Sequence, residues 1–204
     1  MLVLGTPIDA VRALAVGLGA DLVEVPLGAD DAALEAWRAE AAAGPPVGRV
    51  VVAPWVEAQV AGRVDAIDPA AWDARAEQPL AAWVAALGAA VTRCADGGAI
   101  VAVVERPSPL DCAGWAPESG VADAVEALTR SLGRSEGPRG VRVNAVTTPT
   151  RFVHGDVVAP PPPLASFPGT VERDVVGAVR LLLSDDAGGL TGTVAHADAG
   201  RSWR

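Results

Sequence analysis

The chain has 204 residues, half of them apolar and a fifth charged, with a formal net charge of −9, which describes one domain (1–204) with a single core. No stretch approaches the roughly 18 uncharged apolar residues of a membrane span, and the start Met1 to Pro7 lacks the basic and apolar regions of a signal peptide, so a cytoplasmic protein is expected. A surface this acidic repels nucleic acid and anionic membranes, which removes both as expected partners.

Short Val-rich runs alternate with segments of helical period, the pattern of an α/β fold with a parallel sheet wrapped by helices. The first strand is expected at 2–4, a helix at 6–18, a second strand at 21–25 and a second helix at 29–43, ended by Gly44-Pro45-Pro46. A buried strand follows at 49–53, a long helix at 78–94, a strand at 99–104 and a helix at 119–132. A strand at 141–146, a Pro-rich excursion through Pro160 to Pro163, a helix at 171–183 and a last strand at 193–197 complete the chain. In the long helix, Leu80, Trp83, Val84, Leu87 and Val91 form an apolar stripe expected to face the sheet. Ala81, Ala85, Gly88 and Ala89 form a second face of small residues, read either as a landing site for another helix or as plain alanine richness.

Every basic residue is arginine, and the chain has neither Lys nor Tyr. That removes Schiff-base chemistry, a lysine phosphate clamp and any phenolic acid or base. Cys94 and Cys112 lack metal-ligand spacing and are expected as reduced core or loop residues. His154 and His196, the only imidazoles, each stand alone in their segments, so no metal site is expected.

Val125-Glu126-Ala127-Leu128-Thr129-Arg130-Ser131-Leu132, followed by Gly140-Val141-Arg142-Val143-Asn144-Ala145-Val146, resembles a helix and strand of the short-chain dehydrogenase/reductase family. Trp72-Asp73 resembles the start of that family's interface helix, Gly97-Gly98-Ala99-Ile100-Val101 its fifth strand, and Leu183 to Ala187 with Leu190-Thr191-Gly192 its C-terminal signature. Asp198-Ala199-Gly200 stands where the family usually has Asp-Gly-Gly. The resemblance implies a Rossmann-like doubly wound parallel sheet. Between Val25 and Arg49 there is room for one helix where the family places helix, strand and helix, so about six strands are expected, with the N-terminal half shortened.

By the same resemblance, catalysis would need a tyrosine, a lysine, a serine and an asparagine. In this register the tyrosine position falls on Glu118, the lysine position on Ala122, the serine position on Glu105 and the asparagine position on Pro79. A carboxylate is ordinarily ionised near neutral pH and presents no proton to a carbonyl, and Ala122 brings no charge. The cofactor loop fails likewise. The family's Thr-Gly-x-x-x-Gly-x-Gly brings bare backbone to a pyrophosphate, whereas Gly5-Thr6-Pro7-Ile8-Asp9 is expected to cap its own helix, with Thr6 as N-cap, Pro7 first and Asp9 third. Asp9 also sets a negative charge where a phosphate would sit. Val51-Val52-Ala53-Pro54-Trp55 occupies the place of the family's Asn-Asn-Ala-Gly, with Trp55 either plugging the turn or covering the sheet end, and Thr148-Pro149 replaces a Pro-Gly.

What survives of the resemblance is the part that builds dimers and tetramers; what is lost is the part that touches cofactor. The expectation is a catalytically inactive subunit that binds no cofactor itself and assembles, through Leu80, Trp83, Ala85, Ala89, Val121, Val125, Leu128 and Leu132, with an active NAD(P)-dependent paralogue or with itself. The C-terminal Arg201-Ser202-Trp203-Arg204 could then reach a neighbouring active site. Two other functions remain open: new acid–base chemistry by Glu105 and Glu118 (dehydration, isomerisation or hydrolysis), and a small-molecule sensor.

Overall fold

A computed structural model describes residues 1–109, 111–152 and 169–201. His154, Pro160 to Pro163, Ser202, Trp203 and Arg204 lie outside the described residues. The elements run β1 (Leu2–Gly5), α1 (Asp9–Leu18), β2 (Asp21–Glu24), α2 (Asp31–Ala42) and β3 (Val47–Ala53). A short α3 (Pro69–Trp72) continues through a π-helical turn (Asp73–Glu77) into α4 (Gln78–Arg93), followed by β4 (Cys94–Glu105), α5 (Ala116–Ser135) and β5 (Arg142–Thr148). A second π turn (Val171–Val175) leads into α6 (Val176–Leu183), and β6 (Val194–His196) ends the sheet. The strands form one sheet in the order β2-β1-β3-β4-β5-β6, every neighbouring pair parallel. This is the six-stranded, doubly wound α/β architecture that the resemblance implied.

The central strands are uninterrupted apolar runs because both faces of the sheet are covered: Val50, Val51, Val52 and Ile100 to Val103 are all buried. Helices α1 and α6 pack together on one face, and α2, α4 and α5 form the layer on the other. Arginine, the sole basic residue type, stops the helices. Arg93 donates to the carbonyls of Ala41 and Pro45 beyond α2, Arg139 to those of Val91 and Cys94 at the end of α4, and Arg142 to those of Leu182, Ser184 and Ala187 around the end of α6. A guanidinium fork reaches several diverging carbonyls at once, which an ammonium does less well.

Two expectations about helix orientation are corrected. In α4 Trp83 and Leu87 of the expected stripe are buried in the core, together with Ala82, Ala86 and Ala90, and Val91 packs against it, whereas Val84 is 50% exposed and Leu80 only half-buried. Alanines let the helix axis approach the sheet closely, so the larger Leu80 and Val84 rotate to the rim. The small-residue face is also occupied within the chain. Helix α2 runs beside it, and the Arg38 side chain lies so close over Gly88 that a Cβ there would sit 3.3 Å from Arg38 Cδ.

Helix α1 starts later than expected. Its N-cap is Ile8, without a side-chain hydrogen bond, and Thr6 and Pro7 precede it. Thr6 is buried and spends its hydroxyl elsewhere, so neither it nor Asp9 caps the helix in the manner expected. By contrast α2 begins as its sequence suggests, with Asp30 accepting from the Ala33 backbone N–H at 2.8 Å.

Candidate functional site

In a parallel sheet the C-terminal strand ends carry the site, at the point where successive connections leave in opposite directions. Here that point lies between β1 and β3, whose order in the sheet reverses relative to β2. The two loops leaving it are tied together: Thr6 Oγ1 donates to the carbonyl of Trp55 at 2.5 Å, in buried surroundings. The Trp55 ring turns into the cleft beyond β3. It is 2% exposed, and its indole N–H donates to the carbonyl of Val103 in β4 at 2.6 Å. The ladder between β3 and β4 ends at the Val52–Ala102 pair, so the indole supplies the next donor to β4 where backbone pairing stops.

Glu105, the last residue of β4, and Glu118, in the first turn of α5, face the same region, and each is held by its own arginine. Arg75, from the π turn before α4, forms a two-pronged pair with Glu118 at 2.7 and 2.8 Å, with both side chains almost wholly buried. Arg151, just beyond β5, forms a second two-pronged pair with Glu105 and also donates to the carbonyl of Val56 at 2.6 Å. The Arg151 guanidinium lies 5.6 Å from the Trp55 ring centre, and that of Arg75 lies 5.8 Å from Trp115. Trp115 in turn meets Phe152 edge-on at 4.8 Å between ring centres. Burial pushes the Glu105 carboxyl up from its ordinary value, against the opposing pull of Arg151.

Of the positions singled out from the sequence, Pro79, Glu105 and Glu118 line one cavity, together with Trp55, Arg75, Trp83 and Phe152. Ala122 is buried one turn along α5 from Glu118. The cavity holds about 40 Å³, against roughly 300 to 1,000 Å³ for sites that enclose a small organic ligand. Each carboxylate is paired with a guanidinium rather than with its fellow. In each pair both carboxylate oxygens accept from the guanidinium fork. The sequence offered no signal for Arg75 and Arg151, because arginines are spread along the chain and nothing local marks these two.

The residues present do not fit a dinucleotide. The crevice beyond β3 and β4 is occupied by Trp55, Val56 and Glu105, and the exposed carboxylate of Asp9 stands in the first turn of α1, where it would repel a pyrophosphate. Gly5 keeps its close approach, since a Cβ there would sit 2.7 Å from Val11 and 2.8 Å from the carbonyl of Ala53, but no further glycine follows it in the loop. Among the described residues no group of three or more His, Cys, Asp or Glu side chains could hold a metal ion, and no helix is long and apolar enough to cross a membrane. Cys94 is buried and Cys112 exposed, both free thiols, and His196 pairs with the Thr147 hydroxyl at 2.6 Å.

The expected contact residues divide by exposure. Trp83, Ala85, Ala89 and Val125 are buried inside the chain, whereas Leu80, Val121, Leu128 and Leu132 are half-buried, Val121 also lining the cavity. Of the C-terminal segment expected to reach a neighbouring active site, only Arg201 lies within the described residues. Its guanidinium grips Asp111 at 2.5 and 2.9 Å with both side chains buried, and Ser108 donates to the same carboxylate.

No family model and no curated protein matches the chain. Solved structures do. A short-chain dehydrogenase/reductase from Serratia marcescens superposes with a TM-score of 0.71 at 20% identity, covering 98% of this chain and 96% of that one. A blue fluorescent protein from a metagenomic library, in complex with NADPH, gives 0.69 at 18% identity with 100% and 98% covered. A dehydrogenase/reductase from Sinorhizobium meliloti gives 0.66 at 22% identity with 98% and 84% covered. The sheet order, the helix layers and these superpositions agree that this chain has the fold of the short-chain dehydrogenase/reductases.

Proposed function

We propose that the chain is a non-catalytic member of that family, a structural or regulatory subunit that binds no dinucleotide itself and assembles with an active NAD(P)-dependent paralogue. One observation carries this reading: at the family's catalytic positions, two buried arginine–glutamate pairs and Trp55 leave a cavity of about 40 Å³. A site built for hydride transfer must admit a nicotinamide and a carbonyl side by side and present a proton donor, and a small cavity lined by ion-paired side chains supports the reading that this chain does not. The outer faces of α4 and α5, with Leu80, Val121, Leu128, Leu132 and the half-exposed Val84, are the surface offered to the partner's matching helices in a heterotetramer. A homodimer through the same helices is the simpler assembly.

The test is to express the chain alone and with an intact family member from the same genome, then measure native mass and NADPH binding by fluorescence. The expected result is a mixed oligomer on co-expression and no NADPH binding by the lone chain. Micromolar binding by the lone chain, or reduction of a carbonyl compound by it, overturns the reading.

A further inference from the structure

Helices α2 and α4 meet at one end and part toward the other. Where they meet, the Arg38 side chain lies over Gly88. Where they part, Leu34 of α2 and Leu80, Ala81, Val84 and Ala85 of α4 form the floor of an open groove of about 370 Å³. Leu34 and Ala85 are buried, Leu80 and Ala81 half-buried and Val84 exposed, so the floor is apolar and still reaches solvent. Its banks are charged: Asp31 and Glu35 stand on the α2 side and Glu77, at the head of α4, on the other, all three exposed.

The charge on the banks is unbalanced. Arg38 is the one basic residue lining the groove, and its guanidinium already bonds to Glu35 at 2.7 Å. Glu77 accepts from the Trp72 indole N–H, and Asp30 and Asp73 beside the groove accept from the Ala33 N–H and the Gln78 amide, all neutral donors that leave the negative charge in place. A second copy of this chain, seated across a two-fold axis, would bring these carboxylates against their own kind. A cationic surface meets them with opposite charge. The floor residues sit on successive turns of both helices, which suits a third helix carrying apolar side chains three, four and seven residues apart.

We infer that the groove between α2 and α4 is a docking site for a cationic amphipathic helix of another protein, whose apolar side chains lie on Leu34, Leu80 and Val84 and whose Arg or Lys side chains pair with Asp31, Glu35 and Glu77. This goes beyond assembly with a paralogue: α2 takes no part in the α4 and α5 surface offered there, and the lone chain suffices for the test, so the two readings fail separately.

The probe is a labelled synthetic peptide of about 18 residues, long enough to hold a helix, with leucines on one face and arginines flanking them. It is compared with a scrambled peptide of the same composition, whose leucines share no face. Anisotropy with the full chain should show the patterned peptide binding about tenfold or more tighter than the scrambled one, and more weakly as salt rises. Amide shifts in the NMR spectrum should fall in α2 and α4. Glu35→Gln with Glu77→Gln should weaken binding by about tenfold, whereas Asp185→Asn with Asp186→Asn, the same change of net charge beyond α6, should leave it unchanged. Val84→Ser should weaken it with no change of charge, and Ala81→Trp, which fills the groove, should abolish it. Equal binding of the scrambled peptide, an equal loss in the Asp185 and Asp186 variant, or shifts outside α2 and α4 would reduce the binding to general attraction by an acidic protein and overturn the inference. So would a dimer of the lone chain that Ala81→Trp dissolves, which would give the groove to a second copy.

Discussion

Replacing Glu118 by alanine asks whether this carboxylate is a chemical group or a structural one. Its partner Arg75 has an 11% exposed side chain and keeps only the flank of Trp115 once the carboxylate is gone, so the substitution strands a buried guanidinium. Breaking a buried pair by removing one member costs about 3–5 kcal/mol, most of it the desolvation of the charge left behind. In a domain of this length 1 kcal/mol corresponds to roughly 2–4 °C, so Glu118→Ala should lower the melting temperature by roughly 10 °C. Chemical denaturation should show a lower midpoint at an unchanged slope. Arg75→Ala should cost a similar amount, and the double variant much less than the sum, since neither charge is then left unpaired. Replacing both by methionine should bring stability back near that of the parent. A catalytic acid held ready for substrate behaves in the opposite way, because functional groups are commonly kept at a cost to stability. If Glu118→Ala proved neutral or stabilising, the structural role assigned to the pair would be wrong.

Three further outcomes are expected. Trp55→Phe keeps an aromatic ring but leaves the Val103 carbonyl without its indole donor, and should cost about 1–3 kcal/mol by chemical denaturation. Gly133→Ala would place a Cβ 2.7 Å from the backbone nitrogen of Gly192, forcing α5 away from the turn before β6, and should lower stability by about 1–3 kcal/mol although alanine is the better helix former. Asp111 is held below its ordinary value of 3.8, chiefly by hydrogen bonds from Arg201, so the folded state binds its proton less readily than the unfolded chain. That stabilisation is present above the ordinary carboxylate value and is lost as pH falls through the lowered one. Asp111→Asn should therefore show a flatter decline of melting temperature at the acid end; an identical acid limb in both proteins would refute the pairing.

Much of the fold was written in short range order. Alternation of Val-rich runs with helical stretches found all six strands, most sharply β1, β3 and β5, because a strand buried on both faces must be apolar throughout and that requirement is local, although β4 begins at Cys94, five residues before its expected start. The absence of any tyrosine or lysine was equally readable, since it needs no coordinates. What local pattern misjudged was direction. Of the stripe expected to be buried in α4, Trp83 and Leu87 reach the core, but Leu80 and Val84 turn to the rim while Ala82, Ala86 and Ala90 are buried, and only the spacing between helix and sheet decides which set fits. Thr6 looked like a helix cap and instead bonds to Trp55, a residue 49 positions away.

The site itself belonged to the tertiary structure. Glu118 and Arg75 are 43 residues apart, and Glu105 and Arg151 are 46 apart. The sequence by itself singled out Glu105 and Glu118; folding decided that each would be matched by an arginine from another segment. Composition and periodicity act between neighbours, whereas pairing of buried charges depends on which distant strand ends the sheet order brings side by side.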